Sequence, residues 1–204
     1  MKKKILLIPF VITVFILFFI FRDVNSTQCI STEVKLYYPL VLTLDGPESH
    51  ERAIPNPFND YRLDAIFTSP SNKQFIVPGY YAADGNAAYS HANSGNKWQV
   101  RFSPNELGQW HYQLSFVQGK NVASKIYKTN SEEQSAGFFD KQIGSFNVSN
   151  NNNAQNPKDF KTKGKLEYVN KPYLQFSGSK EYFVKAGANS PEVLLGFTGF
   201  DNTP

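Results

Sequence analysis

The clearest structural signal in the chain lies at residues 97–116, which read KWQVRFSPNELGQWHYQLSF. Large apolar side chains occupy every second position, first from Trp98 to Phe102 and then from Trp110 to Phe116. Successive side chains of a strand point to opposite faces, so this alternation is typical of strands that bury one face of an antiparallel sheet. The intervening serine, proline and asparagine supply turn chemistry. The segment therefore predicts two strands, with both tryptophans in the core.

The same pattern of short apolar runs separated by turn residues continues on both sides of this segment. The predicted strands are residues 34–44, 61–68, 73–82, 97–103, 108–117 and, more weakly, 144–149. Residues 30–150 show no sustained helical period of about 3.6 residues. Short strands at this spacing are typical of a β-sandwich. We therefore predict a mainly β chain with an immunoglobulin-like antiparallel β-sandwich over residues 33–149.

Composition and charge narrow the class of protein further. Hydrophobic residues make up 41% of the chain and aromatic residues 15%, which is enough for a packed core and excludes intrinsic disorder. The 204 residues are too few for a complete (β/α)8 enzyme, which needs about 250. The formal charge of +4 comes from Lys2, Lys3, Lys4 and Arg22, and the remaining 17 basic residues balance the 17 acidic ones. A neutral body gives no reason to expect nucleic acid as a partner.

The N-terminus has the pattern of an export signal. Three lysines at residues 2–4 precede the apolar run 5–21, and such positive residues stay on the cytoplasmic side while the rest crosses the membrane. A cleaved signal peptide within residues 1–22 is the first interpretation, and an uncleaved membrane-anchor helix is the second, because the run is nearly long enough to span a bilayer. Cys29 leaves a lipoprotein as a third, although Gln28 stands where a small residue is expected. All three predict a periplasmic, cell-surface or secreted body that reaches the membrane only through this segment.

The composition changes after the predicted sandwich. Residues 150–164 are rich in asparagine and lysine and are predicted to form a solvated linker. Candidate strands follow at 173–177 and 182–186, and the Ser-Pro-Glu sequence at 190–192 suits the start of a helix. This order predicts the opening of an α/β unit in residues 165–204, with no parallel neighbour on which to pack. We expect the chain to be a fragment of a longer protein or the product of a premature stop.

Several runs of the sequence resemble a known family. Residues 56–71 (NPFNDYRLDAIFTSPS), 77–88 (VPGYYAADGNAA) and 97–116 resemble the uncharacterised N-terminal β-sandwich of large secreted bacterial proteins. In that family the sandwich precedes a candidate glycoside hydrolase (β/α)8 barrel of the kind found in polysaccharide degraders. Residues 181–203 resemble the first strand, loop and helix of that barrel. The resemblance implies a non-catalytic accessory sandwich here, with glycosidase activity only in the intact parent protein.

Residues in the C-terminal segment are candidates for the parent's substrate cleft. Glycoside hydrolysis needs two carboxylates flanking the sugar bond, and in a barrel they come from the ends of several strands. The resemblance implies that Glu192 and Asp201 lie near the barrel mouth, but the chain reaches only the first strand, so we predict no catalytic residue. In the complete protein Lys185, Asn189, Ser190 and Glu192 would line the cleft. The alternative is that Ser190 and Glu192 only begin a helix.

A second candidate site follows from two neighbouring tyrosines. Tyr80 and Tyr81 are adjacent, so they point to opposite faces of any strand and one of them is expected to be exposed. Together with Asp84, Asn86 and the nearby His91, the exposed tyrosine would form a polar-aromatic surface suited to a sugar. An aromatic ring offers a sugar a flat apolar area with a polar group at its edge. The alternative is that residues 84–86 form only a turn. This surface predicts polysaccharide as the partner. It also gives the alternative function, an independent carbohydrate-binding module on the cell surface.

Metal and cofactor chemistry finds no support in the sequence. His50, His91 and His111 fall in different predicted elements and have no ligand spacing, so neither a metal nor a cofactor is predicted. Asp60 and Arg62 are close enough in sequence to form an ion pair. Such a pair would serve to hold a loop.

Overall fold

The computed structural model describes residues 28–29, 33–125, 133–150 and 159–184. Its strands are β1 (Gln28–Cys29), β2 (Val34–Lys35), β3 (Leu40–His50), β4 (Tyr61–Thr68), β5 (Gln74–Pro78), β6 (Tyr80–Tyr81), β7 (Ser94–Phe102), β8 (Gly108–Gln118), β9 (Gln134–Ser135), β10 (Ile143–Ser149), β11 (Leu166–Glu167), β12 (Leu174–Phe176) and β13 (Tyr182–Phe183). One short helix, α1 (Ala87–Ser90), and two 3₁₀ turns, Val122–Ser124 and Phe160–Lys163, join them. In this described part no helix has the length and hydropathy needed to cross a bilayer. The predictions for residues 1–22 and 185–204 lie outside it.

Two sheets face each other to form the sandwich. The larger sheet has the order β1-β10-β8-β4-β5, with β2 also paired to β10 and β9 to β8. The smaller sheet has the order β3-β7-β6. Pairing is antiparallel except where β1 and β2 run parallel to β10. The predicted mainly β, antiparallel sandwich is therefore confirmed.

Aromatic side chains from both sheets fill the space between them. Trp98 and Trp110 are both fully buried, as the alternation predicts. Phe67 of the larger sheet stacks on Phe102 of the smaller one, with ring centroids 4.2 Å apart. Trp98 packs edge-on against Phe116 at 4.8 Å. Aromatic pairs in these geometries contribute about 0.5–1.5 kcal/mol each beyond the area they bury.

Two predicted strands are interrupted in the structure. The run 34–44 breaks at Tyr37, whose φ of 67° lies in the left-handed region and ends β2. The run 73–82 breaks at Gly79, where the chain leaves the larger sheet and enters the smaller one. A Cβ at Gly79 would lie 2.5 Å from Cδ2 of Leu63. Only glycine lets the backbone cross this close to the core.

A small three-stranded sheet follows the sandwich. Its order is β11-β12-β13, and its strands pair antiparallel. The rings of Phe160, Phe176 and Phe183 pack together on it, with centroids 5.8 to 6.5 Å apart. The Tyr38 hydroxyl donates a hydrogen bond to Asp159, which joins the start of this unit to the sandwich.

Candidate functional site

The two candidate tyrosines point in opposite directions from β6. Tyr80 pairs with Gln99 of β7 and Tyr81 pairs with Trp98. Tyr80 is 40% exposed, whereas Tyr81 is 6% exposed and belongs to the core. The Tyr81 hydroxyl lies 2.7 Å from the carbonyl oxygen of Ser49, to which it donates, and burial raises its pKa. The structure therefore offers Tyr80, rather than Tyr81, to a ligand.

Hydrogen bonds hold the exposed Tyr80 ring in one orientation. Its hydroxyl donates to Oε1 of Gln99 at 2.7 Å and accepts from Nε of Arg101 at 2.8 Å. Gln99 is itself buried, and its Nε2 donates to Oγ1 of Thr43 at 3.2 Å and to the carbonyl oxygen of Gly85 at 3.0 Å. A ring fixed before binding loses less conformational entropy when a ligand stacks on it.

The predicted polar residues beside Tyr80 form a turn. Oδ1 of Asp84 accepts the backbone N–H of Asn86 at 2.7 Å, and the hydrogen bond from Ser90 lowers the Asp84 pKa. Asp84 and Asn86 are both exposed, and Asn86 precedes helix α1, which His91 caps at its C-terminal end. The structure therefore brings Tyr80 and residues 84–86 together through the Gln99 side chain and the intervening Gly85. Glu192, the remaining predicted site residue, lies outside the described residues.

A cleft opens beside Tyr80. Its volume is about 220 Å³, and Tyr80, Pro78, Gly79 and Phe58 line it. Phe58 is half exposed and packs edge-on against Tyr81 at 5.7 Å. Phe58 carries no signal in the sequence, because a single aromatic residue in a loop takes part in no alternation that would single it out.

Arg62 and Asp64, two members of a buried ion cluster, also line this cleft. Nε of Arg62 donates to Oδ2 of Asp64 at 2.9 Å, and its two terminal nitrogens bind the carboxylate of Glu133. Arg62 and Asp64 are both buried, and burial raises the Asp64 pKa although Arg62 opposes the shift. Arg62 and Asp64 are two positions apart on β4, so their side chains share a face. That spacing is the signal from which the pair could have been predicted.

Asp60 has a different role from the predicted ion pair. Its carboxylate accepts the backbone N–H of Asn121 and that of Asn56, each at 2.9 Å. These two hydrogen bonds lower the Asp60 pKa. Asp60 therefore holds two loops together, which is the structural role expected for it.

Within the residues that the structure describes, no group of three or more His, Cys, Asp or Glu side chains could hold a metal ion. His50 ends β3, His91 follows α1 and His111 lies in β8.

Comparison with known proteins shows that part of the sandwich is similar to a family without an assigned function. Residues 33–117 match the family described as domain of unknown function DUF5060. A solved structure of a putative glycoside hydrolase from Bacteroides vulgatus ATCC 8482 is similar, with 18% sequence identity and a TM-score of 0.48. The match covers 75% of this chain and 22% of that one, so the chain spans about a fifth of that protein's length. No curated protein matches the chain. The resemblance predicted from the motifs, to an uncharacterised sandwich domain, is confirmed over residues 33–117.

Proposed function

We propose that the chain is a non-catalytic accessory β-sandwich of an exported glycan-degrading protein. Its role is structural: a rigid sandwich supports the catalytic part of the parent protein and helps to present polysaccharide to it. The N-terminal segment directs the body of the protein out of the cytoplasm, and the domain acts there.

The main support is that several acidic side chains, including Asp64 in the cleft, already hold the fold. Asp64 is paired with Arg62, and Asp60 binds two loop backbones. Oδ1 of Asp140 accepts the backbone N–H of Phe116 at 2.8 Å, and Glu106 accepts the Ser71 hydroxyl at 2.8 Å. A glycosidase needs one carboxylate free to donate a proton and a second free to act on the sugar. Carboxylates engaged in this way favour a supporting role.

A hydrolysis assay tests the non-catalytic role. The purified chain and its Asp64→Asn variant are incubated with xylan, laminarin and agarose, and new reducing ends are counted. We expect no release above buffer from either protein. The proposal would be overturned if the unmodified chain released reducing ends and Asp64→Asn released them at least about a hundredfold more slowly. Loss of a general acid slows a reaction by about this factor.

A second candidate function is carbohydrate binding by the sandwich itself. It is favoured by the Tyr80 ring, which is exposed, fixed by Gln99 and Arg101, and placed beside the 220 Å³ cleft. A sugar ring would stack on the Tyr80 face and exchange hydrogen bonds with the 84–86 turn.

Affinity electrophoresis in gels that contain these glycans tests this function. Tyr80→Ala should weaken retardation about tenfold, which corresponds to a loss of about 1.4 kcal/mol. Tyr168→Ala is the matched control, because Tyr168 is an exposed tyrosine next to the small sheet, far along the chain from β6. Equal retardation of the unmodified chain and Tyr80→Ala would exclude the Tyr80 surface.

A further inference from the structure

The outer face of the larger sheet carries two ordered rows of side chains. Strands β5, β4, β8 and β10 are neighbours there, and their core-facing residues alternate with outward-facing ones. The pairing register aligns the outward residues across the strands. The first row is Gln74, Thr68, His111 and Ser145, and the second row is Ile76, Ile66, Gln113 and Ile143.

A shallow groove of about 350 Å³ is lined by every residue of the two rows except Ile76. The first row offers an amide, two hydroxyls and an imidazole, and the second offers three isoleucines and an amide. Ile76 is 52% exposed and Ile143 is 41% exposed, so the second row presents apolar surface to solvent. A polar row therefore runs beside a largely apolar row, both across the strands.

The dimensions of the groove suit an extended chain lying across the strands. Neighbouring strands are about 4.7–4.9 Å apart, so a four-strand row spans roughly 14 Å. Two residues along a strand advance about 6.7 Å, which is the separation of the two rows. A groove of this shape can take several units of a linear polymer.

We propose that this groove binds an uncharged linear polysaccharide. Neither row carries an Asp, Glu, Lys or Arg, while amide and hydroxyl groups can both donate and accept hydrogen bonds. A neutral sugar chain has matching chemistry, with hydroxyl groups for the polar row and C–H faces for the isoleucines. The inference rests on the proposed function in one respect, namely that the domain works on glycans.

A second copy of the chain fits this surface less well. A stable protein interface buries about 1,200–2,000 Å² and is apolar at its centre. Here five of the eight aligned positions are polar. A protein partner would have to remove water from the polar first row and satisfy each of its side chains, as well as the Gln113 amide. A hydroxyl-rich ligand satisfies such groups directly.

The test uses the full chain in native gels that contain xylan, laminarin or agarose as neutral probes, and alginate as an anionic one. We expect retardation by at least one neutral glycan. Gln113→Ala and Ile143→Asp change exposed positions that line the groove and should each weaken the binding at least tenfold. Gln109→Ala is the matched control, because Gln109 is an exposed glutamine on the same face of β8 outside the groove, and its affinity should not change. Thermal melts confirm that each variant is folded.

Each other outcome overturns the proposal in a recognisable way. Binding that Tyr80→Ala abolishes and Gln113→Ala leaves intact removes the groove but keeps the carbohydrate-binding function. Retardation by alginate alone would show that the ligand is anionic and that the proposed class, an uncharged glycan, is wrong. A dimer in gel filtration that Ile143→Asp dissociates shows that a second copy occupies the face. No retardation by any of the four glycans removes the groove and the Tyr80 surface together.

Discussion

Replacing Arg62 by alanine should cause one of the largest losses of stability available in the sandwich. Arg62 binds Asp64 and Glu133, and its Nη1 also approaches the carbonyl oxygens of Val122 and Lys125 at 3.4 Å. The guanidinium therefore joins the loop after β8 to the outer face of β4. Without it, Asp64 is left 4% exposed and lacks the charge that compensates for its burial.

The size of the loss follows from this burial. Removing one partner of a buried ion pair costs about 3–5 kcal/mol, whereas an exposed pair contributes at most about 1 kcal/mol. Water still reaches part of Glu133, so we expect the low end, about 3 kcal/mol. One kcal/mol shifts the melting temperature of a domain of this size by about 4 °C, which gives a fall of about 12 °C.

The loss should also depend on pH. Burial raises the pKa of Asp64 above its ordinary value of 3.8, so the folded chain holds this proton at a pH where the unfolded chain has released it. The contribution of Asp64 to stability therefore falls as pH rises from 3.8 through the folded pKa. In Arg62→Ala the folded pKa rises further, because the attraction that opposed burial is gone. The variant should consequently lose more stability at about pH 8 than at about pH 4.

Thermal and urea unfolding followed by circular dichroism, at both pH values, measure this effect. Asp45→Ala is the control: it breaks the pair with Lys97, in which the Asp45 side chain is 70% exposed, and should cost no more than about 1 kcal/mol. A loss from Arg62→Ala below about 1 kcal/mol at both pH values would refute the reasoning, because the cluster would then behave as a solvated surface pair.

Three further predictions concern residues that connect elements of the fold. Gly79→Ala should cost about 1–3 kcal/mol in urea unfolding, because its Cβ would lie 2.5 Å from Leu63 Cδ2, and an unchanged midpoint would contradict this. Tyr81→Phe should lower the free energy of unfolding by about 1 kcal/mol at neutral pH, because it removes a buried hydrogen bond. The raised pKa of Tyr81 makes the unmodified chain lose stability as pH rises above 10, and the variant should lose less over the same range. Melts from neutral to alkaline pH test this, and an equal alkaline decline in both proteins would count against it. The pKa of Asp60, measured by NMR, should lie below the ordinary value of 3.8. Asp60→Ala should speed hydrogen exchange at the Asn121 amide, and unchanged exchange would show that this hydrogen bond does not hold the loop.

The sandwich could be predicted because its information is local. Alternation along a strand is visible within one stretch of sequence, and it places Trp98 and Trp110 in the core, where both are found. The same rule shows that one of two adjacent tyrosines is exposed. It does not show which one, because that choice depends on which sheet β6 joins. The pairing of Tyr81 with Trp98, and hence the exposure of Tyr80, is set by a partner strand that is distant in sequence.

Features that depend on contacts between distant residues were not predictable from local pattern. The break at Gly79 follows from the approach of Leu63, and the Arg62 cluster is completed by Glu133, 71 residues away. The groove on the larger sheet has the same origin. Gln113 and Ile66 are unremarkable polar and apolar residues in sequence, and only the register of β4 on β8 aligns them.

The two candidate glycan surfaces lie on outward faces of different sheets, and this separates their energetics. Tyr80 belongs to the smaller sheet and Gln113 to the larger one, with the aromatic core between them. Sites that share no partners contribute additively to a binding free energy, so a ligand on one face gains nothing from contacts on the other unless it wraps around an edge. A short oligosaccharide would therefore sense one substitution at a time. A long polysaccharide could engage both faces and would gain avidity from the second contact without any new chemistry. For the accessory role proposed above, two independent surfaces would serve better than one tight pocket, because polymer can leave one face while the other still holds it.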